Sequence, residues 1–332
     1  MSGNISSSKQ KLLILIDILK NRTDEYHILN ASEICEEIKK RGVACERKSV
    51  YSDIKLLNEN GFDIVNTRTP KTGYFMASRD FELAEVRLMI DAIQAADFIT
   101  KKKTSQLIEK MSSLVSNDEF IRLQEQISLS KRIKCDNEEI YYNIDCLNRA
   151  IDSRRQVSFK YVKHKIDEKK IVNEEKDFVV NPYALVWSND HYYLVCNNPK
   201  YDNLMHARLD RMRKTEILDT PASSFENVSE YKGKFDVADY ANKMFNMFSG
   251  SSEEIVLVCD NSILEDIYDR FGEDAMIRNE DSGRFVLTSS AAVSEGLCAW
   301  IMQYGKKIFV RSPEKLRQMI CEKVSGILEL YE

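Results

Sequence analysis

Between Lys39 and Lys55 the chain places six basic residues (Lys39, Lys40, Arg41, Arg47, Lys48 and Lys55) against two acidic ones, Glu46 and Asp53. Inside a chain of net charge -5 this is a segregated basic patch. Val50, Ile54 and Leu57 recur at helical spacing and predict a buried face. Arg47, Lys48, Tyr51, Ser52 and Lys55 then point outward, and Ser49 joins them as a further candidate contact. Cations on an exposed helix suit the major groove of duplex DNA, where they reach guanine edges and phosphates. Arg68 and Lys71, at a predicted hairpin tip, would reach the flanking backbone or minor groove. Charge alone describes any solvated helix face. The helix order, the glycine stops and the basic hairpin tip together favour DNA.

A second group pairs rings with cations: Tyr161, Lys163, His191, Tyr192, Arg208 and Arg211. Aromatic faces stack bases and guanidinium groups grip phosphate, so the chemistry suits a nucleotide or single-stranded nucleic-acid effector. Arg208 follows the strand bearing His206, and Tyr192 lies on a strand expected nearby. Tyr193 falls on the face opposite Tyr192. Alternating aromatics also build cores, and Arg211 has Asp210 and Glu216 as acidic neighbours. Catalytic patterns are missing: there is no GxxxxGKS/T, GxSxG or HExxH. His27, His164, His191 and His206 have no partner spacing, and the paired acids Glu174-Glu175 and Glu253-Glu254 flank strands. The eight cysteines form no CxxC. The expectation is a non-enzymatic protein with reduced, mostly buried thiols, no metal and no cofactor.

The elements that must hold these groups follow from periodicity. Leu12, Leu15, Ile16 and Leu19 mark a first helix. Asn30 and Glu33 form a capping box for a second, which carries Ala31, Ile34, Cys35 and Ile38 inward and stops at Gly42. The basic helix is third and stops at Gly61. Phe62–Val65 and Gly73–Met76 are then two strands, giving the order of a winged helix-turn-helix. Stripes at Leu83, Val86, Ile90 and Ile93, at Leu107, Met111 and Leu114, and at Ile140, Ile144, Leu147 and Ile151 predict helices through residues 80–155. They need partners, either each other or a second subunit.

Strands are predicted at Val157–Val162, Phe178–Tyr183, Ala184–Trp187, Tyr192–Cys196 and Thr215–Leu218, enough for a small barrel or tight sheet. Residues 220–252 are more polar and predict a linker, although Met244, Phe245, Met247 and Phe248 must dock somewhere. Glu254–Cys259, Ser262–Phe271, Ala275–Arg278, Arg284–Thr288, Ser294–Gln303 and Lys307–Val310 alternate as βαββαβ, a ferredoxin-like order. A last helix is predicted to start at Pro313.

With 332 residues, 43% hydrophobic and 30% charged, the chain is ordinary for a folded protein of two or three domains. No apolar run approaches the length of a bilayer, and the start lacks an export pattern, so a cytoplasmic protein without membrane association is expected.

The run Arg47-Lys48-Ser49-Val50-Tyr51-Ser52-Asp53-Ile54-Lys55-Leu56-Leu57, followed by Gly61, resembles the recognition helix of DeoR-type winged-helix regulators. Ser52 replaces the usual Arg, and Cys45-Glu46 stands where a Ser/Thr cap is usual. Tyr192-Tyr193-Leu194, preceded by Asn181-Pro182-Tyr183-Ala184-Leu185, is similar to the naming segment of WYL domains. Ala207-Arg208-Leu209-Asp210-Arg211-Met212 and Val157-Ser158-Phe159-Lys160-Tyr161 resemble further elements of that domain. The βαββαβ segment resembles the extension that usually follows it. The resemblance implies an α+β protein: a winged helix-turn-helix (1–79), a helical connector (80–138), an SH3/Sm-like WYL barrel (139–222), a linker (223–252) and a ferredoxin-like extension (253–332). It further implies a ligand-responsive transcriptional regulator, a homodimer on double-stranded DNA. The alternative is an accessory nucleic-acid-binding protein of a defence system, which has no need of a winged helix.

Overall fold

Leu15, Ile18 and Leu19 bury the inner side of helix α1 (Ser2–Arg22). This computed structural model describes residues 2–69, 71–126, 134–167, 170–233, 235–273 and 275–332. Its contacts divide the chain into two units, Met1–Cys135 and Asp136–Glu332. Helix and sheet are mixed in an α+β arrangement, with every paired strand antiparallel.

In the first unit, α1 is followed by α2 (Ala31–Lys40) and α3 (Arg47–Glu59), then by the hairpin β1 (Ile64–Thr67) and β2 (Gly73–Met76). The capping box forms as expected. Asn30 Oδ1 accepts from the amides of Ser32 and Glu33, and the Asn30 amide donates to Glu33 Oε2. Gly42 and Gly61 follow the two helix ends with φ of +81° and +91°, a left-handed backbone that a side chain would strain. Leu29 pairs with Tyr74 in a single antiparallel bridge. Gly73 permits that approach, since a Cβ there would lie 2.7 Å from the Leu29 carbonyl oxygen. Ile34, Ile38, Val50, Ile54, Leu57, Ile64 and Met76 close one core around α1.

The stretch expected as a connector forms α4 (Leu83–Ala95), α5 (Lys101–Met111) and α6 (Asn117–Gln126). The expected stripes are met in part: Val86 and Ile90 are buried, Leu83 is exposed, and Ile108 rather than Leu107 turns inward, so that Val86, Ile90, Ile108, Val115, Phe120 and Leu123 make a second core with Met111 and Leu114 against it. Residues 127–133 of the predicted helical stretch lie outside the described residues.

The second unit opens with α7 (Ile140–Asp152), whose buried side is Ile140, Asn143, Cys146, Leu147 and Ala150. The expected stripe differs by a small rotation: Asn143, Cys146 and Ala150 take inner positions, and Ile144 and Ile151 are half-buried. That sheet comprises β3 (Arg155–Asp167), β4 (Lys170–Ser188), β5 (His191–Asn197), β6 (Leu204–Arg208) and β7 (Met212–Pro221), in the order β6-β5-β4-β3-β7. Two of the expected strands are one, since β4 runs through Pro182. The register shifts between Pro182 and Ala184, an irregularity of the kind that accommodates a proline without an amide hydrogen.

Residues 223–252, expected as a linker, pack instead. Helix α8 (Val237–Lys243) brings Tyr240 against Ala184, Val186, Val195 and Leu204, with Met244 and Met247 beside it. The rings of Tyr231, Phe235 and Tyr240 meet edge-on or tilted at centroid distances of 5.1 to 6.1 Å. Then come β8 (Ser251–Asp260), α9 (Leu264–Phe271), β9 (Met276–Asp281), β10 (Arg284–Val293), α10 (Glu295–Met302) and β11 (Ile308–Ser312), the expected βαββαβ alternation. The strand order is β11-β8-β10-β9. Pro313 sits one place before α11 (Glu314–Tyr331), at its N-cap. No helix among the described residues is long and apolar enough to cross a membrane.

Candidate nucleic-acid interface

The outer face of α3 exists because its inner face is fixed. Val50, Ile54 and Leu57 are buried, and Asp53 Oδ2 lies 2.7 Å from Lys11 Nζ on α1 in a largely covered ion pair. Arg47, Lys48, Tyr51, Ser52 and Lys55 are exposed, and Ser49 is half-buried. Arg47 and Lys48 make no ion pair among the described residues. Lys55 has only a loose contact with Glu59, at 3.8 Å. Two predicted contacts are partly engaged already: the Ser49 hydroxyl donates to the Glu46 carbonyl, and the Ser52 hydroxyl to that of Ser49. Their oxygens still accept. The ring of Tyr51 lies 6.3 Å from that of Tyr74 on β2, so helix and hairpin brace each other.

The hairpin cations behave differently from one another. Arg68 is exposed and makes no ion pair among the described residues. Lys71 does not stand free as expected, because its ammonium binds Glu33, at 2.9 Å, in the first turn of α2. Glu33 is thereby shared between the capping box and the hairpin. Burial opposes its ionisation, but the Asn30 amide and Lys71 outweigh burial and hold its carboxyl below the usual range.

In the second unit the predicted effector residues separate into neighbours and strangers. The β5–β6 register sets Tyr193, not Tyr192, opposite Arg208, and Tyr192 faces Trp187 across β4–β5. The Arg208 amide donates to the Tyr161 hydroxyl at 3.3 Å, while its guanidinium forks onto Asp210 at 3.0 and 2.6 Å. Arg211 is half-buried and has no ion-pair partner among the described residues. It sits close enough to act electrostatically on Tyr193, as do Arg208, Asp210 and Tyr161. Burial pushes the Tyr193 hydroxyl above its ordinary range. The His191 ring meets that of Tyr193 edge-on at 6.3 Å. Lys163 is exposed, two residues beyond Tyr161 on β3.

The joined set is therefore Tyr161, Tyr193, Arg208, Asp210 and Arg211, with His191 at its edge. The turn carrying it is anchored from below: Asn137 Nδ2 donates to the carbonyls of Asp210 and Met212, and Asn143 Nδ2 to that of Met212. Tyr193 and Asp210 were missed in the sequence. Register decides the first, and the second was legible only as a neighbour of Arg211.

One group of possible metal ligands occurs among the described residues: Asp24, His27 and Asp118. The Asp24 carboxylate already accepts from the amides of Tyr26 and His27, from the Ser116 hydroxyl and from the His27 ring. Burial opposes its ionisation, yet these bonds hold its pKa below the ordinary value. It is a turn-forming residue with its donors supplied.

No curated protein matches the sequence. Among solved structures, proteasome accessory factor B/C (PafBC) of Arthrobacter aurescens is similar at 16% identity, with a TM-score of 0.28. That match covers 95% of this chain and 46% of the other, so the chain spans about half the length of that structure. Two family models match the second unit: residues 143–217 match the WYL domain and residues 251–328 the WCX domain.

Proposed function

We propose that the protein is a ligand-responsive, DNA-binding transcriptional regulator. One observation carries the reading: α3 presents Arg47 and Lys48 without acidic partners among the described residues, beside exposed Tyr51 and Lys55, on a helix held by α1, α2 and a two-stranded hairpin. That is a winged helix-turn-helix offering its third helix to the major groove. Arg68 on the wing supplies a backbone contact. The matches to the WYL and WCX domains support the regulatory half of the reading.

The β3–β7 sheet, read as a small SH3/Sm-like barrel, is the sensor, and the βαββαβ segment is a ferredoxin-like extension. Tyr193, Tyr161, Arg208 and Arg211 offer rings and cations to a nucleotide or single-stranded nucleic acid. The role is binding rather than catalysis, in the cytoplasm. An exposed stripe on α11 (Val324, Ile327, Leu328 and Tyr331) supports a homodimer, which two-fold DNA sites require.

Selection of bound molecules from a pool of random duplexes tests the whole reading. The full chain is expected to enrich one sequence repeated in two half-sites separated by about one helical turn or a multiple of it. A pool that emerges unenriched contradicts sequence-specific regulation.

A further inference from the structure

We propose that Cys35 and Cys45 form a modification site, a thiol pair that hydrogen peroxide closes into a reversible disulfide between α2 and the start of α3. The two sulfurs are 3.3 Å apart, on residues ten positions apart in sequence, and both are buried free thiols. A disulfide needs a sulfur–sulfur distance of about 2.05 Å, so closure asks for a small displacement. Both are packed in the same core, Cys35 on the inner face of α2 and Cys45 in the turn before α3.

The turn is the softer side. Glu46, the N-cap of α3, makes no side-chain capping bond. The helix start rests on the Glu46 carbonyl, which accepts from the amides of Ser49 and Val50 at 3.0 and 3.3 Å. A pull on Cys45 is transmitted through one residue to Arg47 and Lys48. The consequence for DNA rests on the function proposed above; the cross-link does not.

The chemistry balances without any group beyond the peroxide. One thiolate attacks the peroxide oxygen, giving a sulfenic acid, and the hydroxide that leaves takes up the thiol's proton as water. The second thiol attacks the sulfenic sulfur, the S–S bond forms, and a second water departs. Two thiols are oxidised, one peroxide is reduced, and a dithiol reductant reverses the change. Burial, then contact with Cys45, pushes the Cys35 thiol up to about 11. The Cys35 thiolate is scarce near neutral pH, so attack by Cys35 is slow there and accelerates as pH rises.

The test uses the full chain, hydrogen peroxide and mass spectrometry across neutral to alkaline pH. The expected result is a non-reduced peptide pair joining the Cys35 and Cys45 segments, lighter by two hydrogens than the two thiol peptides together, and recovery with dithiothreitol. Exposed Cys321 reports that the oxidant has acted. Oxidised Cys321 with Cys35 and Cys45 still free at every pH overturns the proposal. On one duplex DNA, the oxidised chain is expected to bind at least tenfold more weakly than the reduced chain, with recovery on reduction and no change in Cys45→Val. Equal affinities of cross-linked and reduced chains overturn the regulatory consequence. If the reduced chain binds no duplex either, the DNA reading fails while the cross-link is still decided by mass.

Discussion

Arg47 and Lys48 occupy the first turn of α3, which contains no acidic residue. Unpaired amides there already carry partial positive charge, so each cation is unfavourable by roughly 0.3–1 kcal/mol in the free protein. A phosphate group reverses that sign. The expectation is a trade: Lys48→Glu slows amide hydrogen exchange in α3, by about 0.5–1 kcal/mol of added local stability, while duplex affinity falls at least tenfold. A variant that loses both stability and binding points to a structural role for Lys48. His206 makes a second residue-scale case. Its ring nitrogens meet the Tyr240 hydroxyl at 2.8 Å and the Ser249 hydroxyl at 3.3 Å, and burial pushes its pKa from 6.5 down to about 4. The unfolded chain takes up this proton near 6.5 and the folded chain only near 4. Its contribution is complete above that window and is lost as pH falls, at up to about 1.4 kcal/mol per pH unit. Urea unfolding of the second unit between those pH values is expected to show the slope in the wild type and a shallower one in His206→Gln. Identical slopes refute the assignment.

Elements were legible where their determinants are local and obscure where they are not. Asn30 with Glu33, Gly42 and Gly61 act within a few residues, so the starts and stops of α2 and α3 could be read in advance. The inward stripe of α3 and the βαββαβ alternation are likewise periodic signals. The packing of 223–252 is not. It depends on Tyr240 finding Val186 and Val195, far away in sequence, and on two close approaches. A Cβ on Gly250 would lie 2.2 Å from the Val293 carbonyl oxygen, and one on Gly296 would lie 2.1 Å from that of Phe245. The glycines let residues 245–250 lie against the junction of β10 and α10. Gly296→Ala is expected to destabilise the second unit by about 1–3 kcal/mol, through overpacking against backbone that cannot turn aside. Thermal unfolding reads the effect; an unchanged midpoint would mean that the segment does not sit there. The proposed effector cluster failed to be legible for a related reason. Whether Tyr192 or Tyr193 faces Arg208 changes with a one-residue slip in register, which hydrophobic alternation fixes poorly when both faces are covered.

At the scale of the whole molecule, the proposed function asks an acidic chain of net charge -5 to approach a polyanion. It can do so only if the basic face of α3 is presented locally and the remaining charge lies beyond the screening distance, about 8–10 Å at ordinary salt. Binding should then depend on a few named cations rather than on the sum of charge. The direct measurement is a fluorescence-anisotropy titration of the full chain against its selected duplex at several salt concentrations, for wild type and for Arg47→Ala/Lys48→Ala. The account predicts a linear fall of log affinity with log salt in the wild type. In the double variant it predicts weaker binding and a slope shallower by about one unit for each phosphate contact removed. Equal affinities and equal slopes for the two proteins would contradict the assignment of α3 as the helix that meets DNA.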